Sequence, residues 1–269
     1  MTATTPSVIR AVDPSVAAGR PSLLATAAVL IRLTWKRTMS PAIIASIVGL
    51  VLLPMIFAVM FASRGPLSGD PVPFLIGRYD SLVCALATPI IALLLGTSAF
   101  NAEAEDGTLL YLVTTTTPRW WIAVVRVFMA AILTAALSAL AIWGTGYLAQ
   151  GAYDPDGVTR AFTVAAAFGG AVYASFFTVL ALITRRALVV GLGYVLFWEG
   201  LLSVTFPGIN YLSIRPWMLS VASSLTDRSD SRFDVGPSTT FALIGAAVVV
   251  LFAILISARH LATPRHGKV

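Results

Sequence analysis

Long apolar stretches, separated by short clusters of charge, set the pattern of the chain. Six stretches are each long enough for a helix to cross a hydrocarbon core of about 30 Å, which takes roughly 20 apolar residues. They run from about Pro41 to Ala62, Ser81 to Phe100, Trp121 to Leu148, Ala161 to Thr184, Ala187 to Phe206 and Thr239 to Ala258. Only Arg185 and Arg186 separate the fourth from the fifth, which implies a tight hairpin. Lipid cannot satisfy backbone polar groups, so the stretches are either helices or strands of a closed barrel. Barrel strands alternate strictly over about ten residues. Runs such as Ile90 to Leu95 and Ala246 to Ile256 do not alternate, and helices are predicted.

The flanks of the spans carry their own patterns. Between Leu23 and Met39, apolar Leu23, Leu24, Ala27, Leu30, Ile31 and Trp35 recur at helical spacing beside Arg32, Lys36 and Arg37. This predicts an amphipathic helix lying on a membrane interface, basic face toward anionic headgroups. The alternative is a simple extension of the first span, which Pro41 disfavours. The segment from Pro207 to Pro237 is long for a loop. Its middle, with Trp217, Met218 and Leu219, predicts a short helix or a re-entrant piece, followed by a solvated turn of alternating Asp and Arg. The fold class is thus an all-α integral membrane protein of six transmembrane helices with an N-terminal amphipathic interfacial helix. Residues 1–21, with three prolines and little hydrophobicity, read as a disordered cytoplasmic leader and not as a cleaved signal peptide. Residues 22–258 form the six-span domain and 259–269 a cytoplasmic tail.

Composition agrees with the pattern. Of 269 residues, 58% are hydrophobic and 11% charged, against about a quarter charged in soluble domains. The net charge of +6 suggests no nucleic-acid partner, because the basic residues sit at span ends. With the N-terminus inside, 12 Lys and Arg fall on the cytoplasmic side and six on the outer side. That bias places both termini in the cytoplasm. The single cysteine, Cys84, rules out an internal disulfide or a CxxC metal site.

Catalytic patterns are missing from the sequence. The only lysines, Lys36 and Lys268, follow no glycine-rich turn, so there is no Walker A loop to hold nucleotide phosphates. Neither HExxH nor GxSxG occurs. One acid, Glu199, lies inside a predicted span, where a charge is costly. It either contacts a cationic cargo or a proton, or sits wetted at the outer interface where the fifth helix ends. Small residues Ala166, Gly170 and Ala174 recur every four positions in the fourth span and allow close helix packing.

The second cytoplasmic loop differs from the basic inner surface around it. Glu103, Glu105 and Asp106 precede Gly107 and Thr108, then Leu109, Leu110, Tyr111, Leu112 and Val113, and finally Pro118 and Arg119. This acidic, Gly-Thr-Leu, leucine-rich, Pro-basic order resembles the permease subunits of ABC-2 type ATP-binding cassette exporters. The resemblance extends over nearly the whole chain after residue 22, through the amphipathic helix, two spans, this loop, three spans, an outer structured segment and a last span. The run Thr114 to Thr117 is longer than the polar stretch of many members.

The resemblance implies a non-enzymatic permease subunit that forms the translocation path in a bacterial plasma membrane. It implies no directly bound cofactor, with ATP held by a separate cytoplasmic ABC ATPase, and a second permease subunit as partner. Glu103, Glu105, Asp106, Gly107, Thr108, Leu109, Tyr111 and Leu112 would be the coupling helix that docks on that ATPase. The alternative is a secondary transporter driven by an ion gradient, a class with repeated halves, interrupted helices and buried ionisable residues.

Overall fold

The computed structural model describes residues 40–63, 70–106, 119–154, 156–184, 186–202, 205, 207–230, 233 and 236–262, of which 99–106, 119, 207, 261 and 262 are described by their backbone. The Leu23–Met39 amphipathic segment lies outside the described residues. So do Gly107, Thr108, Leu109, Tyr111 and Leu112. All regular structure among the described residues is helical.

The elements follow in order. Helix α1 is Pro41–Ala62. Helix α2, Pro71–Arg78, runs through a π-helical stretch, π1, Tyr79–Ala87, into α3, Thr88–Asp106. Helix α4 is Arg119–Gln150 and α5 is Val158–Ile183. Helix α6, Ala187–Gly193, continues as a second π-helical stretch, π2, Tyr194–Leu202. A 3₁₀ turn, Pro207–Leu212, leads to α7, Ile214–Ser223, and α8, Thr239–Ala262, follows. Five helices are long and apolar enough to cross a membrane: Pro41–Ala62, Pro71–Ser98, Trp120–Gln150, Val158–Ile183 and Thr239–His260. The fold is thereby compatible with a multi-pass membrane protein. The fifth predicted stretch is a shorter apolar helix, Ala187–Leu202.

The helix starts follow local chemistry. Ser40 caps α1 by accepting from the Ile43 N–H at 3.3 Å, with Pro41 in the first turn. Asp70 does the same for α2, accepting from Val72 N–H at 3.0 Å ahead of Pro71. This cap starts the second helix about ten residues earlier than the hydropathy pattern predicts. Residues 71–80 look like a flank because they include Arg78 and Asp80. In the fold Arg78 lies over the Phe57 and Phe74 rings, 5.1 and 5.4 Å from their centroids. Val72, Leu75, Ile76 and Tyr79 join the core. At α5, Gly157 takes a left-handed φ of 66° just before the first turn. Asp154 reaches in to accept from the Thr159 and Arg160 N–H groups at 3.3 and 3.1 Å.

Helix α5 is the central post, packing against α3, α4, α7 and α8. Close approach depends on missing side chains. A Cβ on Gly170 would stand 3.2 Å from the backbone of Thr134 and Ala135 in α4. One on Gly96 would stand 3.0 Å from the Ala174 carbonyl oxygen. The Ala166–Gly170–Ala174 stripe is therefore a packing seam. Thr97, Thr134, Thr145, Ser175 and Thr178 donate their hydroxyls to carbonyls one turn earlier in the same helix. Those bonds satisfy polar groups without water. Helices α1 and α8 are peripheral and expose Ile44, Val48, Leu52, Ile56, Leu243, Ile244, Val248 and Leu251. On α4, exposed Trp120 sits at one end and the stacked, exposed pair Trp143 and Tyr147 toward the other. From Trp120 to Trp143 is about 35 Å at 1.5 Å per residue. Paired aromatic belts of that separation suit the two interfaces of a bilayer.

Polar contacts assign the ends of the helices to one face. Phe61 stacks on Phe74 at 4.2 Å, bringing the end of α1 to the start of α2. Arg228 bridges Asp70 at 3.2 Å and Asp156 at 3.1 Å. Gln150 donates to Thr159 at 3.2 Å, and the Thr226 hydroxyl donates to the Asp156 carbonyl at 2.8 Å. The segments before α2, before α5 and after α7 thus meet on a common surface, here the loop face.

Candidate functional site

Two buried carboxylates converge on the first turn of α7. Glu199 lies in π2 and is 1% exposed; Asp80 lies in π1 and is 7% exposed. The Glu199 carboxylate accepts from the Ile214 N–H at 3.0 Å, the Tyr194 hydroxyl at 3.1 Å and the Ser213 hydroxyl. It caps α7 from outside that helix, with its charge at the positive end of the helix dipole. The next residue, Arg215, donates to both oxygens of Asp80, Nε at 2.9 Å and Nη2 at 2.8 Å. This is the bidentate fork that gives Arg–carboxylate pairs their strength and fixed geometry. The two π-helical stretches lie against each other, and each supplies one of the two acids. A π turn re-aims side chains relative to an α-helix and often marks a functional position.

Other side chains enclose the acids. Tyr173 of α5 is buried and its hydroxyl faces Glu199 without forming a hydrogen bond of good geometry. Phe176 packs on Tyr194 at 4.9 Å, and Tyr194 stacks with Trp198 at 6.3 Å. The Trp198 indole donates to the Leu212 carbonyl at 3.3 Å, tying π2 to the turn before α7. Cys84, one turn beyond Asp80, is fully buried and feels the charges of both Asp80 and Arg215.

Depth along the bundle follows from contacts with α5. Met218 of α7 fills the space that Gly169 leaves by lacking a Cβ. Gly169 is about 16 Å from the Val158 end of a helix about 39 Å long. Tyr173 is about 6 Å deeper still, and Glu199 lies at its level. At the other end of α7, the Leu225 carbonyl approaches Gly157 and Thr226 bonds Asp156 on the loop face. Helix α7 therefore rises from the middle of the bundle to the loop face, and the acid cluster sits near mid-depth.

The sequence-predicted site residues fall in two groups. Glu199 is central to the cluster, and its burial overturns the reading of a side chain wetted at an interface. The helix carrying it continues to Leu202, and α7 folds back to cover it. Glu103, Glu105 and Asp106 lie on the last turns of α3, at the end opposite the loop face, with α4 starting at Arg119. The structure does not bring them near Glu199. Asp80, Arg215, Ser213, Tyr194 and Tyr173 were not singled out by the sequence reading. Asp80 lies just before the predicted second span and Arg215 in the Pro207 to Pro237 segment, and an acid and a base flanking separate spans carry no signal of a pair.

The arrangement holds oppositely charged groups in an apolar interior with most of their bonding capacity used. It suits positioning of a helix, because both carboxylates are spent on the first turn of α7 and the residue before it. No group of three or more potential metal-ligating side chains occurs among the described residues. Compared with known proteins, the chain matches no family model and no characterised protein in sequence.

Proposed function

We propose that the chain is the membrane-spanning permease subunit of an ATP-driven exporter of the ABC-2 type. It would cross a bacterial plasma membrane six times with both termini cytoplasmic and the loop face outside. In this reading the fifth crossing is made of Ala187–Leu202 and α7 in series. The chain carries no ATPase of its own, binds no cofactor directly, and works with a cytoplasmic ABC ATPase and a second permease subunit.

The observation that supports this most is α7. A short helix returning into the bundle between the fifth apolar segment and the last long helix is what the resemblance expects of the Pro207 to Pro237 segment. The end of α3 adds to it, because Glu103, Glu105 and Asp106 stand at the end of the bundle where α1 begins, α4 begins and α8 ends. A contact there with a partner would combine acids that set register with apolar anchors Leu109, Tyr111 and Leu112.

The test is co-purification with an ATPase encoded beside this chain, then ATP hydrolysis in lipid. Glu103→Lys with Glu105→Lys should release or uncouple the ATPase while membrane insertion stays normal. Leu109→Asp should act in the same way. Retention of wild-type association and hydrolysis in both variants would remove the coupling assignment.

A second reading has its own support. A crossing interrupted near mid-depth, with Asp80 and Glu199 buried and Arg215 half-buried around the break, also suits a transporter driven by an ion gradient. That reading requires uptake or efflux in proteoliposomes holding this chain alone under an imposed ion gradient.

A further inference from the structure

We propose that α7 is a hinged plug in the translocation path, pivoting near Ser220 and latched by Arg215 on Asp80. The proposal rests on the chain being a conduit and is indifferent to what drives it.

The two ends of α7 are tied to different partners. At Ser220 the hydroxyl bonds the Pro237 carbonyl, and the Thr239 hydroxyl donates to the Ser220 carbonyl at 2.9 Å. Both partners belong to the chain leading directly into α8. The C-terminal half of α7 is therefore fastened to its own continuation. Gly236 sits against Pro216 and Ser220, so closely that a Cβ there would meet the Pro216 carbonyl oxygen at 2.8 Å. The N-terminal turn is instead fastened across the bundle. Arg215 reaches Asp80 in π1 and the Ile214 N–H reaches Glu199 in π2. Motion that keeps the Ser220 ties and releases both Arg215 from Asp80 and Ile214 from Glu199 swings the deep end of α7 out of the bundle.

The seat of α7 has the shape of a socket. Met218 lies over Gly169 of α5, and Trp217 lies over Gly245 of α8, where a Cβ would stand 2.8 Å from the indole ring. Trp217, Met218, Leu219, Val221 and Ala222 are all buried, so the outer half of the bundle is closed while α7 is seated. Apolar packing of this kind has no strong directional preference. The bidentate fork does, and it holds one seated position.

Cys84 is a built-in reporter. It is the only thiol of the chain, is fully buried, and lies one turn along π1 from Asp80, the partner of Arg215. It becomes reachable from the loop face only when the deep end of α7 leaves. The full chain in phosphatidylcholine nanodiscs is treated with a small, permanently charged methanethiosulfonate, and the rate is read by intact mass. Wild type should react slowly. Asp80→Asn and Arg215→Gln should each react about tenfold faster or more, as expected when a minor open state gains population. A second thiol, Ala141→Cys in a Cys84→Ala background, reports general loosening and should stay slow with or without Arg215→Gln. An unchanged Cys84 rate in both single variants, or equal acceleration at position 141, overturns the latch.

Wild-type hydrogen exchange gives a measurement that needs no variant. Amides of Ile214–Ser223 should exchange faster than those of residues 165–177 in α5, and equal protection of the two overturns the hinge. Neither measurement uses ATP or a partner. Their failure removes the latch and leaves the permease reading standing, whereas loss of ATPase association removes that reading and leaves the latch.

Discussion

Asp80 and Arg215 stand 135 residues apart in sequence and meet through two parallel hydrogen bonds of 2.9 and 2.8 Å. Their side chains are 10% and 20% exposed, so each charge depends on the other for solvation. Removing one partner strands the other in an apolar interior, which typically costs about 3–5 kcal/mol. Arg215→Met alone should therefore lower unfolding stability in detergent by several kcal/mol. Asp80→Leu combined with Arg215→Met removes both charges and should recover most of that loss. A double variant no more stable than the single one would mean that the pair contributes little beyond packing.

The long helices were legible because charge is nearly missing from them. The Ala166–Gly170–Ala174 stripe was legible because spacing alone predicts a smooth face. The mid-depth cluster was not. Asp80 marks a boundary in a hydropathy reading, and only the Asp70–Pro71 cap and the core contacts of Tyr79 show that the helix has already begun. Arg215 sits in a short helix within a polar-looking segment, and its partner is set by tertiary packing. Glu199 was visible as an acid inside an apolar stretch, with a site role and a wetted interface both open. Its role as a cap for a helix starting 15 residues later was not, because nothing local to π2 predicts that α7 returns to it.

The seam between α5 and its neighbours tolerates no added bulk. Gly170 would bring a Cβ to 3.2 Å from α4 backbone, which cannot move aside as a flexible side chain can. Gly170→Leu should destabilise the bundle by about 1–3 kcal/mol or more through overpacking. Gly193 has open space around its missing Cβ, so Gly193→Ala serves as a control and should stay within about 0.5 kcal/mol of wild type. Thermal unfolding in detergent measures both.

The proposed sidedness rests on the Lys and Arg count together with the loop-face contacts. Asp70, Asp156 and Arg228 share a surface, so a reagent that reaches one of these segments should reach them all. In a Cys84→Ala background, Ser229→Cys and Tyr153→Cys should both be modified by an impermeant maleimide added to intact cells. Thr115→Cys should be modified only after the cells are opened. Labelling of Ser229→Cys without Tyr153→Cys would contradict the shared face, and the inverse pattern at all three would reverse the orientation.

Glu199 separates a structural acid from a transport acid. Its carboxylate is already engaged by the Ile214 N–H and by the hydroxyls of Tyr194 and Ser213. A cargo or ion contacting it must compete with those donors for the lone pairs of the two oxygens. Glu199→Gln keeps the volume and one carbonyl oxygen, but presents an amide to groups that are themselves donors. A buried donor left without an acceptor costs about 1–3 kcal/mol. The expected result is a loss of unfolding stability in that range, together with faster exchange at the Ile214 amide. Glu199→Ala deletes every acceptor and should be worse on both measures. Should Glu199→Gln leave stability and exchange at wild-type values while transport is abolished, the carboxylate acts on cargo or protons and its bonds to α7 are incidental. The engaged geometry predicts the opposite order, with structure failing first and transport failing through it.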